Sequence, residues 1–154
     1  MARSRLGPLT SVCGNGAAQY GELLMMSHPN EDLMRTGYAA FAAGDVPGVL
    51  AVLDPAITWT AGDHNALTGV SRGHDEVVAF FTKLFEVTGG SFALDVQRIV
   101  ADDAGAVVVS NATATRDGKS YAWAITHVWE IANGQATSLT IFSHDGQTMD
   151  SAFA

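Results

Sequence analysis

Five histidines, one cysteine and sixteen carboxylates are the groups with which this 154-residue chain could do chemistry. Cys13 stands alone, so neither an intrachain disulfide nor a cysteine-based metal site can form. The histidines are His28, His64, His74, His127 and His144. None of them forms the HxH or HxxxH pairs from which metal sites are commonly built, and His144 beside Asp145 is a weak pair, so no metal is expected. The chain has no G-x-S-x-G elbow, no Gly-rich phosphate loop and no dinucleotide fingerprint, and no organic cofactor is expected. What remains is proton transfer or hydrogen bonding by a single imidazole. His127 is the candidate, because it sits in the alternating series Tyr121, Trp123, Ile125, His127, Trp129, Ile131. Alternation of period two puts these side chains on one strand face, and two tryptophans with two isoleucines make that face a buried one. Two readings stay open for His127: a core histidine satisfied by one hydrogen bond, or an acid/base in a pocket.

The elements that must position this strand can be traced along the chain. Asn30 is a candidate N-cap, with Glu31 and Asp32 in the first turn and Leu33, Met34, Tyr38, Phe41 and Ala42 at helical spacing. Asp45 caps a second, short helix that stops at Asp54-Pro55. Ala56 to Thr60 reads as a short strand and Ala61 to Arg72 as a loop. A third helix starts near Gly73, where Val77, Phe80, Phe81, Leu84 and Phe85 form an apolar stripe. Four long strands follow, turned by Asp102 to Gly105, Asp117-Gly118 and Asn133-Gly134; the last two are strong hairpin signals. The fold class is therefore α+β, with three N-terminal helices packed on a curved, mainly antiparallel sheet.

The chain carries a formal net charge of −8. Setting aside Arg3, Arg5 and Glu22 leaves six basic and fifteen acidic side chains in residues 27–154, a net of −9. Such a domain repels phosphate backbones, so no nucleic-acid partner is expected. No apolar run approaches the ~18 residues of a membrane helix, and the cytoplasm is the expected compartment. Residues 1–26 have neither helical nor strand period and read as a disordered tail, or as sequence upstream of a start at Met25 or Met26. The domain is expected over 27–146, with 147–154 as a C-terminal tail.

Gly37-Tyr38-Ala39-Ala40-Phe41-Ala42-Ala43-Gly44-Asp45 resembles the helix junction of SnoaL-like and ketosteroid-isomerase-like proteins. Trp59, Leu67, Gly69 and Gly73 match that family's W-x7-L-x-G-x3-G pattern. Asp75 to Phe81, Thr113 to Gly118, and His127-Val128-Trp129 through Asn133-Gly134 resemble its third helix and hairpin strands. The resemblance, to the SnoaL-like or nuclear transport factor 2-like superfamily, covers about residues 30–146. It implies a cone-shaped α+β barrel around a deep pocket, and a homodimer. Ketosteroid isomerases use an Asp base with a Tyr and a protonated Asp as donors. The family pattern puts that base at Thr60, the Tyr at Gly37 with Tyr38 one residue out of phase, and the second acid near Ala112–Thr113, where none exists. Cyclases of the family use a histidine and an aspartate on late strands; His127 matches the histidine. The acid positions after the Asn-Gly turn hold Ser138 and Thr140, and Asp145 is the nearest carboxylate, a weak candidate against the plainer reading of a solvated turn residue.

Tyr38, Trp59, Asp63, His64, Phe81, Phe85 and Trp123 join His127 as candidate pocket residues. Phe81 and Phe85 weigh more as core, and Asp63 and His64 more as polar loop residues. The expected partners are a small apolar ligand and a second copy of the chain, through an outer sheet face carrying Val107 and Val109 or their alternates. Two functions compete. One is an isomerase-, cyclase- or dehydratase-type enzyme using His127 on a small apolar carbonyl compound. The other is a non-catalytic ligand-binding or dimeric interaction module.

Overall fold

A computed structural model describes residues 26–154. The expectations for residues 1–25, Cys13 among them, lie outside it. Helix α1 spans Pro29–Ala42 and α2 spans Val46–Ala51. The cap of α1 is His28 rather than Asn30: His28 Nδ1 accepts from Asn30 N at 3.1 Å. Pro29 fits the first helical position, where a missing N–H costs nothing. The Asn30 side chain instead donates to the Asp102 carbonyl oxygen at 2.7 Å, tying α1 to the turn at Asp102 to Gly105. Asp45 caps α2 as expected, accepting from Gly48 N at 3.0 Å.

Strand β1 (Leu53–Ala61) is followed by β2 (Gly69–Arg72), a strand where a loop was expected, and then by α3 (Gly73–Val87). Strands β3 (Ala93–Ala101), β4 (Gly105–Arg116), β5 (Lys119–Ala132) and β6 (Gln135–Ser143) form the antiparallel meander. Asp117-Gly118 and Asn133-Gly134 turn two of its corners with φ of 50° and 74°, and 52° and 74°. Positive φ at both central residues is what a two-residue hairpin of matching twist requires. The six strands lie in the order β2-β1-β6-β5-β4-β3, with β1 parallel to β6 and every other pair antiparallel. The sheet is open, not closed into a barrel, with β2 and β3 at its edges.

Two bulges bend it. One leaves Gln97 unpaired, since Val96 faces Ser110 while Arg98 faces Val109. The other leaves Thr137 unpaired, since Ile131 faces Ala136 while Glu130 faces Ser138. The second has consequences for the site, because one extra residue reverses which side chains of a strand point inward. Ala136 and Leu139 are both fully buried, although they stand three positions apart along β6, because they face Ile131 and Trp129, two positions apart on β5.

Of residues 147–154, expected as a tail, 147–153 belong instead to helix α4 (Gly146–Phe153). Asp145 caps it, and Met149, Ala152 and Phe153 are buried. The core has two parts. One gathers Met34, Leu53, Ile57, Trp59, Val77, Trp129 and Leu139 under α1 and α3. The other gathers Leu67, Leu84, Trp123, Ile125, Met149 and Phe153 under α4. Phe41, Phe80 and Ile141 pack against both.

Candidate functional site

A cavity of about 80 Å³ lies where the two core parts meet. Helix α1 contributes Met34, Gly37, Tyr38 and Phe41 to its wall; α3 contributes Phe80, Phe81 and Leu84. The sheet contributes Trp59 and Ala61 from β1, Ile125, His127 and Trp129 from β5, and Ile141 from β6; Met149 and Phe153 come from α4. Gly37 is part of the fit between elements: a Cβ there would stand 2.9 Å from Val52 Cγ2.

His127 is 6% exposed and lies on the inner face of β5. Burial disfavours the imidazolium, and its pKa is pushed down from 6.5 to about 4. Tyr38 Oη lies 2.5 Å from His127 Nδ1. Trp129 Nε1 donates to the same Tyr38 oxygen at 3.1 Å. This chain fixes the protons. The indole can only donate, so the Tyr38 oxygen accepts from it. Burial pushes the Tyr38 pKa up, while the Trp129 bond opposes the shift, so the phenol keeps its proton. That proton needs an acceptor, and Nδ1 of a neutral imidazole is the one within reach. His127 therefore carries its own proton on Nε2, for which the described residues supply no partner. The rings support the arrangement, with Tyr38 stacked on His127 at 5.8 Å and Trp129 edge-on to both.

Of the residues expected at the site, Tyr38, Trp59, Phe81 and His127 line the cavity, and the others do not. Tyr38, held to be out of phase with the family's tyrosine, is the residue that engages His127. Phe85 stacks on Phe41 at 5.9 Å, outside the cavity wall. Trp123 packs on Phe92 and Phe153 in the second core part. Asp63 and His64 serve the loop before β2: the Asp63 carbonyl oxygen accepts from Thr68 Oγ1 at 2.8 Å, and His64 N donates to Asp150 at 3.0 Å. Asp145 is exposed, and its carboxylate accepts from Thr148 N and Thr148 Oγ1 at 3.0 and 2.6 Å. Those bonds hold its pKa below the ordinary value and occupy the group as a helix cap.

Thr60, Ser138 and Thr140 do not face the cavity. Thr60 pairs with Thr140 and Thr140 with exposed Val128, while Ser138 pairs with exposed Glu130. The bulge at Thr137 causes this for β6. The inner neighbours of His127 are Ile141 and, one strand further, Ala61. Among the described residues the cavity wall thus contains no carboxylate, and no group of three or more His, Cys, Asp or Glu side chains is gathered. The contributions of Met149 and Phe153 were missed, although Asp145 as a cap and the spacing of Met149, Ala152 and Phe153 were a readable helix signal.

Comparison with known proteins agrees with this architecture. The SnoaL-like domain model matches residues 34–139. An uncharacterised protein of Mycobacterium tuberculosis is 29% identical over 124 residues, covering 80% of this chain and 95% of its own. A solved NTF2-like protein of unknown function from Burkholderia pseudomallei is 30% identical, with a TM-score of 0.76, covering 83% of this chain and 99% of that one. The solved Bal32a protein from a soil-derived mobile gene cassette is 25% identical with a TM-score of 0.78, covering 82% and 97%. The chain belongs to the SnoaL-like domain family, within the NTF2-like fold. No helix among the described residues is long and apolar enough to cross a membrane.

Proposed function

We propose that this protein binds a small, neutral, largely apolar carbonyl compound, whose oxygen accepts a hydrogen bond from His127 Nε2. The observation that carries the reading is the chain from Trp129 through Tyr38 to His127, which presents a neutral imidazole with its free N–H at an otherwise apolar cavity. Proton abstraction needs a free basic lone pair. Here Nδ1 is engaged by Tyr38 and Nε2 is protonated, and among the described residues no carboxylate lines the wall to take up a proton. Binding is therefore favoured over acid/base catalysis. The cavity is about half the ~150 Å³ that holds benzene in an apolar core. A six-membered ring enters as Met34 and Met149, unbranched and adaptable, give way.

The test compares cyclohexanone with methylcyclohexane. His127→Leu should weaken cyclohexanone binding by the ~0.5–1.5 kcal/mol of one hydrogen bond and leave methylcyclohexane unchanged. Equal loss of both ligands would sink the reading. Exchange of the α-hydrogens of cyclohexanone in D2O, dependent on His127, would replace it with the proton-transfer enzyme.

The same reading extends to a homodimer through the outer sheet face. Val100, Val107 and Val128 are exposed and pair directly across β3, β4 and β5, with exposed Phe142 on β6. This row gives a second copy an apolar strip to cover.

A further inference from the structure

Helix α4 closes one side of the cavity and is held differently from the other walls. The strands of the wall lie inside the hydrogen-bonded sheet. Helix α3 runs directly from β2 and leads on to β3, and α1 is tied to the turn at Asp102 to Gly105. After β6 the chain makes one more sheet bond, from His144 N to the Ala124 carbonyl oxygen at 2.9 Å. It then folds back as α4 over β4 and β5, where Met149 and Phe153 reach the cavity. Three hydrogen bonds join α4 to loop 62–68. Asp150 Oδ1 accepts from His64 N at 3.0 Å and from Asn65 Nδ2 at 2.9 Å, and Ala66 N donates to the Phe153 carbonyl oxygen at 3.2 Å. Among the described residues, no other hydrogen bond joins α4 to the rest of the molecule beyond its own cap at Asp145. The loop is shaped to offer these donors. Thr68 Oγ1 accepts from Asn65 N at 3.0 Å and donates to the Asp63 carbonyl oxygen at 2.8 Å, and Asp63 takes a left-handed φ of 67°.

We infer that α4 is a lid over the pocket, hinged just after His144 and latched by the Asp150 carboxylate, and that ligands enter and leave when the latch opens. This rests on the proposed reading of the cavity as a binding site, and not on the role of His127. The cavity of about 80 Å³ is too small for a six-membered ring as it stands, and Met149, one of the two side chains that give way, is carried by α4. Opening α4 breaks no strand pair of the sheet. The two bonds to Asp150 are only partly buried, so water replaces them at modest cost. Two of the three latch bonds end on one carboxylate oxygen, so a single substitution cuts most of the latch. The latch is closed in the empty and in the filled protein alike. Weakening it therefore speeds entry and exit together and leaves affinity in place, because a shift in an equilibrium needs a difference between its two states.

The test follows the exchange of methylcyclohexane and cyclohexanone by NMR in the unaltered protein, in Asp150→Ala and in Asp150→Asn. Asp150→Ala removes two latch bonds, so association and dissociation rates of both ligands should rise together, roughly three- to thirtyfold, with Kd unchanged within about twofold. Asp150→Asn keeps an acceptor oxygen without the charge, and its rates should fall between. Alanine is the better helix former, so faster exchange in Asp150→Ala cannot come from a weaker helix. Amide hydrogen exchange of the unaltered protein tests the idea even where a variant fails to fold. Amides of residues 149–153 should exchange faster than those of residues 125–129 on β5, and should slow on saturation with methylcyclohexane. Equal protection of the two segments, or unaltered ligand rates in Asp150→Ala, overturns the lid while ligand binding stands. Latch-dependent rates for methylcyclohexane, with no His127-dependent preference for cyclohexanone, sink the proposed function and leave the lid. If neither ligand enters any of the three proteins, both fail.

Discussion

The two faces of β5 share one backbone and differ in what they can do. The inward series Trp123, Ile125, His127, Trp129, Ile131 is buried throughout, whereas Val128 and Glu130 between them are exposed. On the inner face a polar atom must find a partner or bear the cost of desolvation, so Tyr38, His127 and Trp129 form one connected chain. On the outer face His144 also makes a short bond, to Thr126 at 2.7 Å, yet it is exposed and its partner is a hydroxyl with water at hand. The same residue type is thus a constrained donor on one side and an ordinary surface group on the other. Burial, rather than residue identity, makes the difference.

The largest way to break that contrast is pH. The folded pKa of His127 is depressed from 6.5 to about 4. Between those values the unfolded chain binds a proton that the native protein resists. The stability associated with His127 is therefore whole above pH 6.5 and lost as pH falls toward 4, by an amount of order 3 kcal/mol. Urea midpoints measured from pH 7 to pH 4 should fall more steeply in the native sequence than in His127→Gln. Parallel profiles would show that the imidazole is not shielded.

Tyr38→Phe comes next. It leaves Trp129 Nε1 without an acceptor and His127 Nδ1 without a donor, so a loss of about 1–3 kcal/mol in unfolding free energy is expected. The imidazole should also change tautomer populations, visible in its 15N shifts. A variant with unaltered stability and unaltered shifts would remove Tyr38 from the site.

The smallest effect on stability belongs to the outer face. Val107→Lys and Phe142→Ser should change unfolding free energy by no more than about 0.5 kcal/mol, as surface substitutions do. They should nevertheless shift a dimer toward monomer in light scattering at micromolar concentration. A monomeric parent protein would discard the second copy as a partner.

The comparison also shows where reading ran ahead of structure. Local signals placed α2, α3 and the hairpins well, because an Asp cap, a stripe of Val77, Phe81 and Leu84, and the Asp-Gly and Asn-Gly turns act within a few residues. Face assignment on β5 held for the same reason. On β6 the spacing alone left the faces of Ser138 and Thr140 open, and Thr137, slipping out of the ladder, turns both outward. Helix α4 was missed because its signal, the Asp145 cap and the spacing of Met149, Ala152 and Phe153, spans only eight residues with small and polar positions between them.

The amino-acid sequence by itself determined the SnoaL-like α+β architecture and the buried face that carries His127. Periodicity, caps and turns are local, and they are written residue by residue. Only the tertiary structure decided that Tyr38 reaches across 89 positions to His127 and that Trp129 completes the chain. Those facts depend on which side chains meet after a bulged sheet bends under three helices. No spacing along the chain encodes that meeting.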